Sequence, residues 1–121
     1  MQAFDLEEAL TMHRAWKMKF QLALGSVQDR DFDTRPLGDA AQCALGKWLA
    51  ANPGELEGFA AADELRTQHE EFHRRSQAIA DAIREGNILH MADPAIVDYL
   101  TLSEHVEALL TRLDAHCRRA R

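Results

Sequence analysis

Residues 63–86 read DELRTQHEEFHRRSQAIADAIREG and carry the clearest helical pattern in the chain. Apolar and small residues recur there at intervals of three and four, the period of an amphipathic helix. The inward positions are Leu65, His69, Phe72, His73, Ser76, Ile79, Ala80 and Ile83. Gly86 and Asn87 favour a left-handed cap that ends the helix. Because His69 and His73 are four residues apart, their side chains lie on one face, one turn apart.

A first helix is predicted from Asp5, where Glu8 completes a capping box, to near Val27. Its apolar stripe includes His13, so that imidazole is expected to face the core and not the solvent. A shorter helix is predicted over about residues 39–51, and it contains Cys43.

The last helix has a defined start, with Asp93 as its N-cap and Pro94 in its first turn, and is expected to reach about Cys117. The segments at 28–39 and 55–61 contain proline or glycine and are predicted to be irregular chain and a turn. The pattern therefore predicts an all-α fold, a four-helix bundle with a short second helix that carries a cysteine. At 121 residues, the chain is expected to form one domain over 1–121.

The composition of the chain disfavours several classes of partner and location. The formal net charge of −6 argues against nucleic acid and against an anionic membrane surface. No apolar run approaches the roughly 20 residues that cross a bilayer, and the acidic N-terminus lacks the apolar core of a signal peptide, so a cytoplasmic location is expected. Two cysteines do not make a disulfide framework, which leaves Cys43 as a free thiol or a ligand.

Four residues could form a metal site if the bundle brings them together: His13, Cys43, His69 and His73. At about 1.5 Å per residue, His13 and the midpoint of His69 and His73 each lie roughly 12 Å above the start of their helices. If the first and third helices run parallel, these ligands are level. Cys43 lies roughly 12 Å above the end of its own helix, and an irregular segment of about a dozen residues can span the return to that height.

Three imidazoles and one thiolate suit Zn²⁺, which takes nitrogen and sulfur ligands in a tetrahedron. Three neutral histidines and one thiolate leave a site of charge +1, which nearby carboxylates can compensate. Four protein ligands close the coordination shell, whereas a catalytic zinc keeps one position open for water. The sequence therefore predicts a structural or sensing zinc site with no catalytic residues.

Other interpretations of these residues are open on the sequence alone. Each histidine could be an ordinary packed side chain and Cys43 a small buried hydrophobe, in a metal-free helical interaction module. The run H-E-E-F-H also satisfies the HExxH pattern of zinc hydrolases, with Glu70 in the position of the base. In those enzymes the third ligand lies downstream, whereas His13 and Cys43 lie upstream. Residues expected to be peripheral are His90, His105, His116 and Cys117.

The chain resembles the chemoreceptor zinc-binding (CZB) domains of bacteria. The resemblance rests on H-R-A-W-K at 13–17, C-A-L-G-K-W at 43–48 and H-E-E-F-H at 69–73, of which the second is the most specific. It implies a four-helix bundle, a homodimer and a zinc site held by His13, Cys43, His69 and His73. It also implies that the domain regulates an output partner, either a chemoreceptor signalling region or a diguanylate cyclase.

No catalytic or signalling output segment is recognised in these 121 residues. We therefore expect a sensor that acts in trans or a domain of a longer protein, and the start at Met1 favours the first. The expected role is regulation of chemotaxis or cyclic-di-GMP signalling. The signal would be zinc itself or oxidation of the zinc-bound Cys43 thiolate.

Overall fold

The computed structural model describes residues 4–25, 33–86 and 93–120, and every regular element in them is helical. The helices are α1 (Leu6–Ala23), α2 (Ala44–Ala51), α3 (Ala62–Arg84) and α4 (Pro94–Ala120). Three short 3₁₀ turns, Arg35–Gly38, Ala40–Gln42 and Pro53–Leu56, join them. The prediction of an all-α fold with a short second helix is confirmed.

The predicted start of α1 is confirmed, because the Asp5 carboxylate accepts a hydrogen bond from the backbone N–H of Glu8 at 3.1 Å. Its predicted end is wrong. The helix ends at Ala23, with Leu24 as its cap, and Val27 lies outside the described residues. The left-handed end of α3 is confirmed at Gly86, which has φ 91°, whereas Asn87 is outside the described part of the chain.

The segment predicted as one short helix over 39–51 is divided at Cys43. Asp39 accepts from the N–H of Ala41 and caps the 3₁₀ turn 40–42. Cys43 then has extended backbone dihedrals and is the N-cap residue of α2. The predicted location of Cys43 inside the helix is therefore wrong, and its thiol lies at the helix N-terminus.

Contacts between side chains establish the helix directions. Along α4, Tyr99 packs against Phe20 and Ser103 bonds to His13, so α1 and α4 are antiparallel. Phe72 stacks on the same Tyr99. Arg75, further along α3, approaches Asp98, which precedes Tyr99, so α3 and α4 are also antiparallel. Hence α1 and α3 run parallel, as the alignment of the candidate ligands requires.

The core lies where these helices meet. Its largest fully buried apolar side chains come from α2, α3 and α4, and they are Leu45, Leu65, Phe72, Ile79, Leu110 and Leu113. Buried with them are His13, His69 and His73, each at most 2% exposed. Burying an imidazole without a polar partner costs free energy. Three histidines in one core are therefore expected to have hydrogen-bond partners or to bind a cation. Within the described residues, no helix is both long and apolar enough to cross a bilayer.

Candidate metal centre

Three of the four predicted ligands meet in the core. One ligand atom from each of Cys43, His69 and His73 lies within 4.8 Å of the other two, and all three residues are buried. Cys43 enters from the start of α2, and the two histidines enter from consecutive turns of α3. The convergence that the sequence predicted is thus present for this thiol and these two imidazoles.

The two imidazoles have the spacing of metal ligands. The Nε2 atoms of His69 and His73 lie 3.2 Å apart, and their ring planes meet at 88°. Two nitrogens bound to one tetrahedral zinc at about 2.0 Å are separated by roughly 3.3 Å. The pair therefore needs little rearrangement to share one ion. A sulfur and a nitrogen bound to the same tetrahedral zinc are roughly 3.5 Å apart. The Cys43 sulfur lies within 4.8 Å of both nitrogens, so it needs to move by about 1 Å at most to share the ion.

The hydrogen bond of His73 prepares that imidazole as a ligand. Its Nδ1 lies 3.2 Å from the carbonyl oxygen of Leu37. A carbonyl can only accept, so Nδ1 carries the proton and Nε2 presents its lone pair. Histidines that bind metals are commonly oriented in this way by a hydrogen bond from the second nitrogen. Trp16 also packs edge-on against the ring of His73, with centroids 4.4 Å apart.

The position of Cys43 at the start of α2 has opposing effects on its thiol. Burial raises the pKa of Cys43, and the backbone N–H groups of Gly46 and Leu45 partly oppose that shift. Backbone amides at a helix N-terminus favour a thiolate. The metal-free thiol is therefore protonated at neutral pH. The charge of a bound cation would stabilise the thiolate and keep the sulfur ionised.

Gly46 allows α2 to approach the rest of the centre. A Cβ at this position would overlap the carbonyl group of Ala40 and lie 3.2 Å from Cε1 of His69. Only a residue without a side chain lets the turn 40–42, α2 and the His69 ring approach so closely. This explains the small residue in the C-A-L-G-K-W motif.

His13, the fourth predicted ligand, is buried beside this cluster but is not one of the three residues that converge. It is 1% exposed, and its ring packs on Phe72 with centroids 5.0 Å apart. Its Nε2 lies 2.9 Å from the hydroxyl oxygen of Ser103 on α4. The ring of Phe72 lies between His13 and the cluster, because it also contacts His73 with centroids 5.4 Å apart.

The three buried histidines, His13, His69 and His73, are uncharged at neutral pH. Burial lowers the pKa of His13 to about 4, and burial together with His73 lowers the pKa of His69 to about 3. Burial also lowers the pKa of His73. Two carboxylates favour positive charge nearby, because Glu107 opposes the shift at His13 and Asp39 opposes the shift at His73. The donor set therefore has neutral nitrogens available to a cation and carboxylates close enough to compensate its charge.

A small cavity of about 190 Å³ lies against the outer side of His69. Its lining includes Ala40, Ala41 and Gly46, which lie two or three residues from Cys43 along the chain, together with Arg66 and Glu70. Glu70, the residue in the hydrolase base position, is exposed on the outer face of α3. The cavity gives small molecules an approach to the edge of the centre.

The residues expected to be peripheral lie away from the cluster wherever they are described. His105 is exposed, and His116 bonds through Nε2 to the carbonyl oxygen of Glu57. Cys117 is buried, and its thiol bonds to the carbonyl of Glu55. His90 lies outside the described residues.

Two groups that orient the ligands were not predicted from the sequence, the Leu37 carbonyl and the Ser103 hydroxyl. The carbonyl of Leu37 is a backbone group, so no residue type could have indicated it. The role of Ser103 could have been suspected from the sequence, because a serine four residues after Tyr99 places a hydroxyl in the apolar stripe of α4. Its neighbour Leu102 is only partly buried, whereas Ser103 is 1% exposed.

Taken together, a helical bundle with a thiol and two imidazoles converging in its core defines a helical metal-binding domain. A family model described as the chemoreceptor zinc-binding domain matches residues 13–80, more than half of the chain. The chain belongs to this family of zinc-binding sensory domains, as its resemblance predicted, and Zn²⁺ is the cofactor for which the cluster is suited. The family is not a known enzyme family. Comparisons with curated proteins and with solved structures yield no match.

Proposed function

We propose that this chain is a cytoplasmic regulatory domain of bacterial signal transduction that responds to the state of a bound Zn²⁺. The observation that carries the proposal is the buried group of Cys43, His69 and His73 in a chain of the zinc-binding sensory family. We further propose that residues 1–121 form one domain and that it has no catalytic residues of its own.

His13 is proposed as the fourth ligand. It is fully buried, it packs on the same Phe72 ring as His73, and it lies on α1, which runs parallel to α3. With His13 included, the donor set is three imidazoles and one thiolate, which closes a tetrahedral shell. A closed shell supports a sensing or structural role and leaves no position for a hydrolytic water at the H-E-E-F-H run.

The regulatory step follows from where the ligands lie. Zinc supplies a cation that three separate segments can bind together: α1 through His13, the start of α2 through Cys43, and α3 through the histidine pair. Occupancy then favours one packing of these segments, and loss of a ligand favours another. Such a local change can alter the surface presented to an output partner.

Native mass spectrometry of the purified protein tests the site. We expect one zinc per chain in the wild type and a strong loss of zinc in the Cys43→Ala, His13→Ala, His69→Ala and His73→Ala variants. His105→Ala is the matched control, because this exposed histidine lies outside the centre and its loss leaves the zinc content unchanged. Undiminished zinc in Cys43→Ala and His69→Ala would reject the proposed site.

We propose oxidation of Cys43 as a second way to release the metal, and the cavity against the neighbouring ligand His69 supports an approach to the centre. A zinc-bound thiolate can attack hypochlorous acid, so that the sulfur becomes a sulfenic acid and chloride leaves. Titration with hypochlorous acid, with zinc release and Cys43 modification followed together, tests this route. Zinc release from protein whose Cys43 is unmodified would exclude it.

The partners are proposed to be a second copy of the chain and a chemoreceptor or diguanylate cyclase. Large exposed apolar side chains on α1 and α4 support a homodimer, and they are Met18, Leu22, Val97 and Leu100. Light scattering after size exclusion tests the dimer, with Leu22→Glu expected to give monomers and Lys19→Glu to remain dimeric. Monomeric wild-type protein at micromolar concentration would reject a stable homodimer.

A further inference from the structure

Helix α4 contributes none of the four proposed ligands, yet its Ser103 contacts one of them. The Ser103 hydroxyl oxygen lies 2.9 Å from Nε2 of His13, and both residues are 1% exposed. Ser103 also lies beyond residues 13–80, the part of the chain that the family model matches. Nothing in the family match therefore accounts for this contact.

The hydrogen bond of Ser103 differs from those of two other hydroxyls within the helices, Ser76 and Thr111. Ser76 and Thr111 each donate to the carbonyl oxygen four residues earlier in their own helix. Such local bonds are the usual way to satisfy a hydroxyl inside a helix. Ser103 instead bonds across the interface between α4 and α1, where it fixes the ring of His13.

A neutral imidazole has one nitrogen that donates and one that accepts. We propose that Ser103 is a positioning residue of the zinc centre, whose hydroxyl accepts the Nε2–H of His13 and leaves Nδ1 of His13 to coordinate the metal. This inference rests on the proposed function, since it requires that His13 bind zinc. Metal-binding histidines are commonly oriented by such a bond, and the bond of His73 to Leu37 is the equivalent within this centre.

The neighbouring surface contact supports a fixed register between α1 and α4. Arg14, next to His13, forms an ion pair of 2.8 Å with Glu107, one turn after Ser103. The exposed ion pair contributes little stability by itself. Beside the buried bond, it holds α4 in the register at which Ser103 faces His13, so that zinc occupancy at His13 is transmitted to α4.

Zinc affinity, measured by competition with a chromophoric chelator, tests the role of Ser103. We expect Ser103→Ala to weaken zinc binding about 10- to 100-fold and Ser103→Thr, which retains a hydroxyl, to recover most of the affinity. Ser76→Ala is the matched control, since it removes an equally buried hydroxyl that bonds to Phe72 and to no ligand. Unchanged or tighter binding in Ser103→Ala, or an equal loss in Ser76→Ala, would overturn the proposal.

Nitrogen-15 NMR of the wild-type histidine side chains provides a readout that does not depend on the stability of any variant. In the zinc-bound protein we expect Nδ1 of His13 to show the shift of a metal-bound nitrogen and Nε2 to carry a proton that exchanges slowly with water. Coordination through Nε2 would overturn the role of Ser103 while leaving the zinc site intact. A wild-type protein that binds no zinc would instead overturn the proposed function itself.

Discussion

The indole of Trp16 meets the imidazole of His73 edge-on, with ring centroids 4.4 Å apart and planes inclined at 75°. Trp16 also stacks on Phe20 and contacts Phe72, so it joins α1 to the ligand-bearing face of α3. The His73 ring is thereby fixed on one side by an aromatic wall and at Nδ1 by the carbonyl of Leu37. Rigid support of this kind favours metal binding, because little conformational freedom remains to be lost.

This contact makes Trp16 an internal reporter of the metal. We expect zinc binding to change the intrinsic tryptophan fluorescence, since coordination polarises the imidazole that touches the indole. Trp16→Phe should abolish the response. Trp48→Phe is the control, because Trp48 packs on Phe4 with centroids 5.3 Å apart and, in the described part of the chain, its ring contacts no imidazole of the centre. A response that persists in Trp16→Phe and disappears in Trp48→Phe would contradict the assignment.

The pH dependence of zinc binding should come mainly from Cys43. The lowered pKa values of the three histidines leave them neutral at pH 7, whereas burial raises the pKa of the Cys43 thiol. Zinc must therefore displace about one proton per ion, and affinity should rise about tenfold per pH unit near neutrality. Calorimetry in buffers of different ionisation enthalpy measures this proton release. Release of two or more protons would show that the histidines were charged before zinc bound.

Much of the fold and most of the centre could be predicted from the sequence, because both depend on periodic side chains. The histidine pair of α3 and the stripe position of His13 follow directly from helical geometry. The location of Cys43 at an N-cap could not be predicted, since it depends on the competing cap that Asp39 gives to a 3₁₀ turn. The Leu37 carbonyl that orients His73 is a backbone atom and becomes a partner only through tertiary packing.

Acid should destabilise the metal-free protein through its buried histidines. Their folded pKa values, about 4 for His13 and about 3 for His69, lie below the unfolded value of 6.5. The unfolded state therefore binds more protons, and stability present above pH 6.5 is lost as the pH falls toward 4. The loss approaches roughly 3 kcal/mol per histidine, which urea denaturation at a series of pH values can measure.

The variant His13→Gln should flatten this pH profile, because it removes one of the buried groups that take up a proton on unfolding. Stability that is constant between pH 7 and pH 4.5 would show that the buried histidines do not remain neutral in the folded protein.

The close approach at Gly46 predicts a variant that damages both fold and site. In Gly46→Ala the added Cβ overlaps the carbonyl of Ala40 and presses on Cε1 of His69. We expect the free energy of unfolding to fall by about 1–3 kcal/mol, and zinc affinity to fall with it. Gly25→Ala is the control, because its Cβ would lie 3.4 Å from the carbonyl oxygen of Leu22. Wild-type stability and affinity in Gly46→Ala would show that the segments can separate without cost.

The buried hydroxyl of Tyr99 predicts a variant that is more stable than the wild type. Among buried side-chain nitrogens and oxygens in the described ranges, it is the one atom without a hydrogen-bond partner, although its ring packs on Phe20 and Phe72. Because an unsatisfied buried hydroxyl is unfavourable, Tyr99→Phe should raise the free energy of unfolding by up to about 1 kcal/mol. Ser76→Ala, which removes a bonded hydroxyl, should lower it. Thermal and urea unfolding compare the two, and a loss of stability above about 1 kcal/mol in Tyr99→Phe would reveal a partner for that hydroxyl in solution.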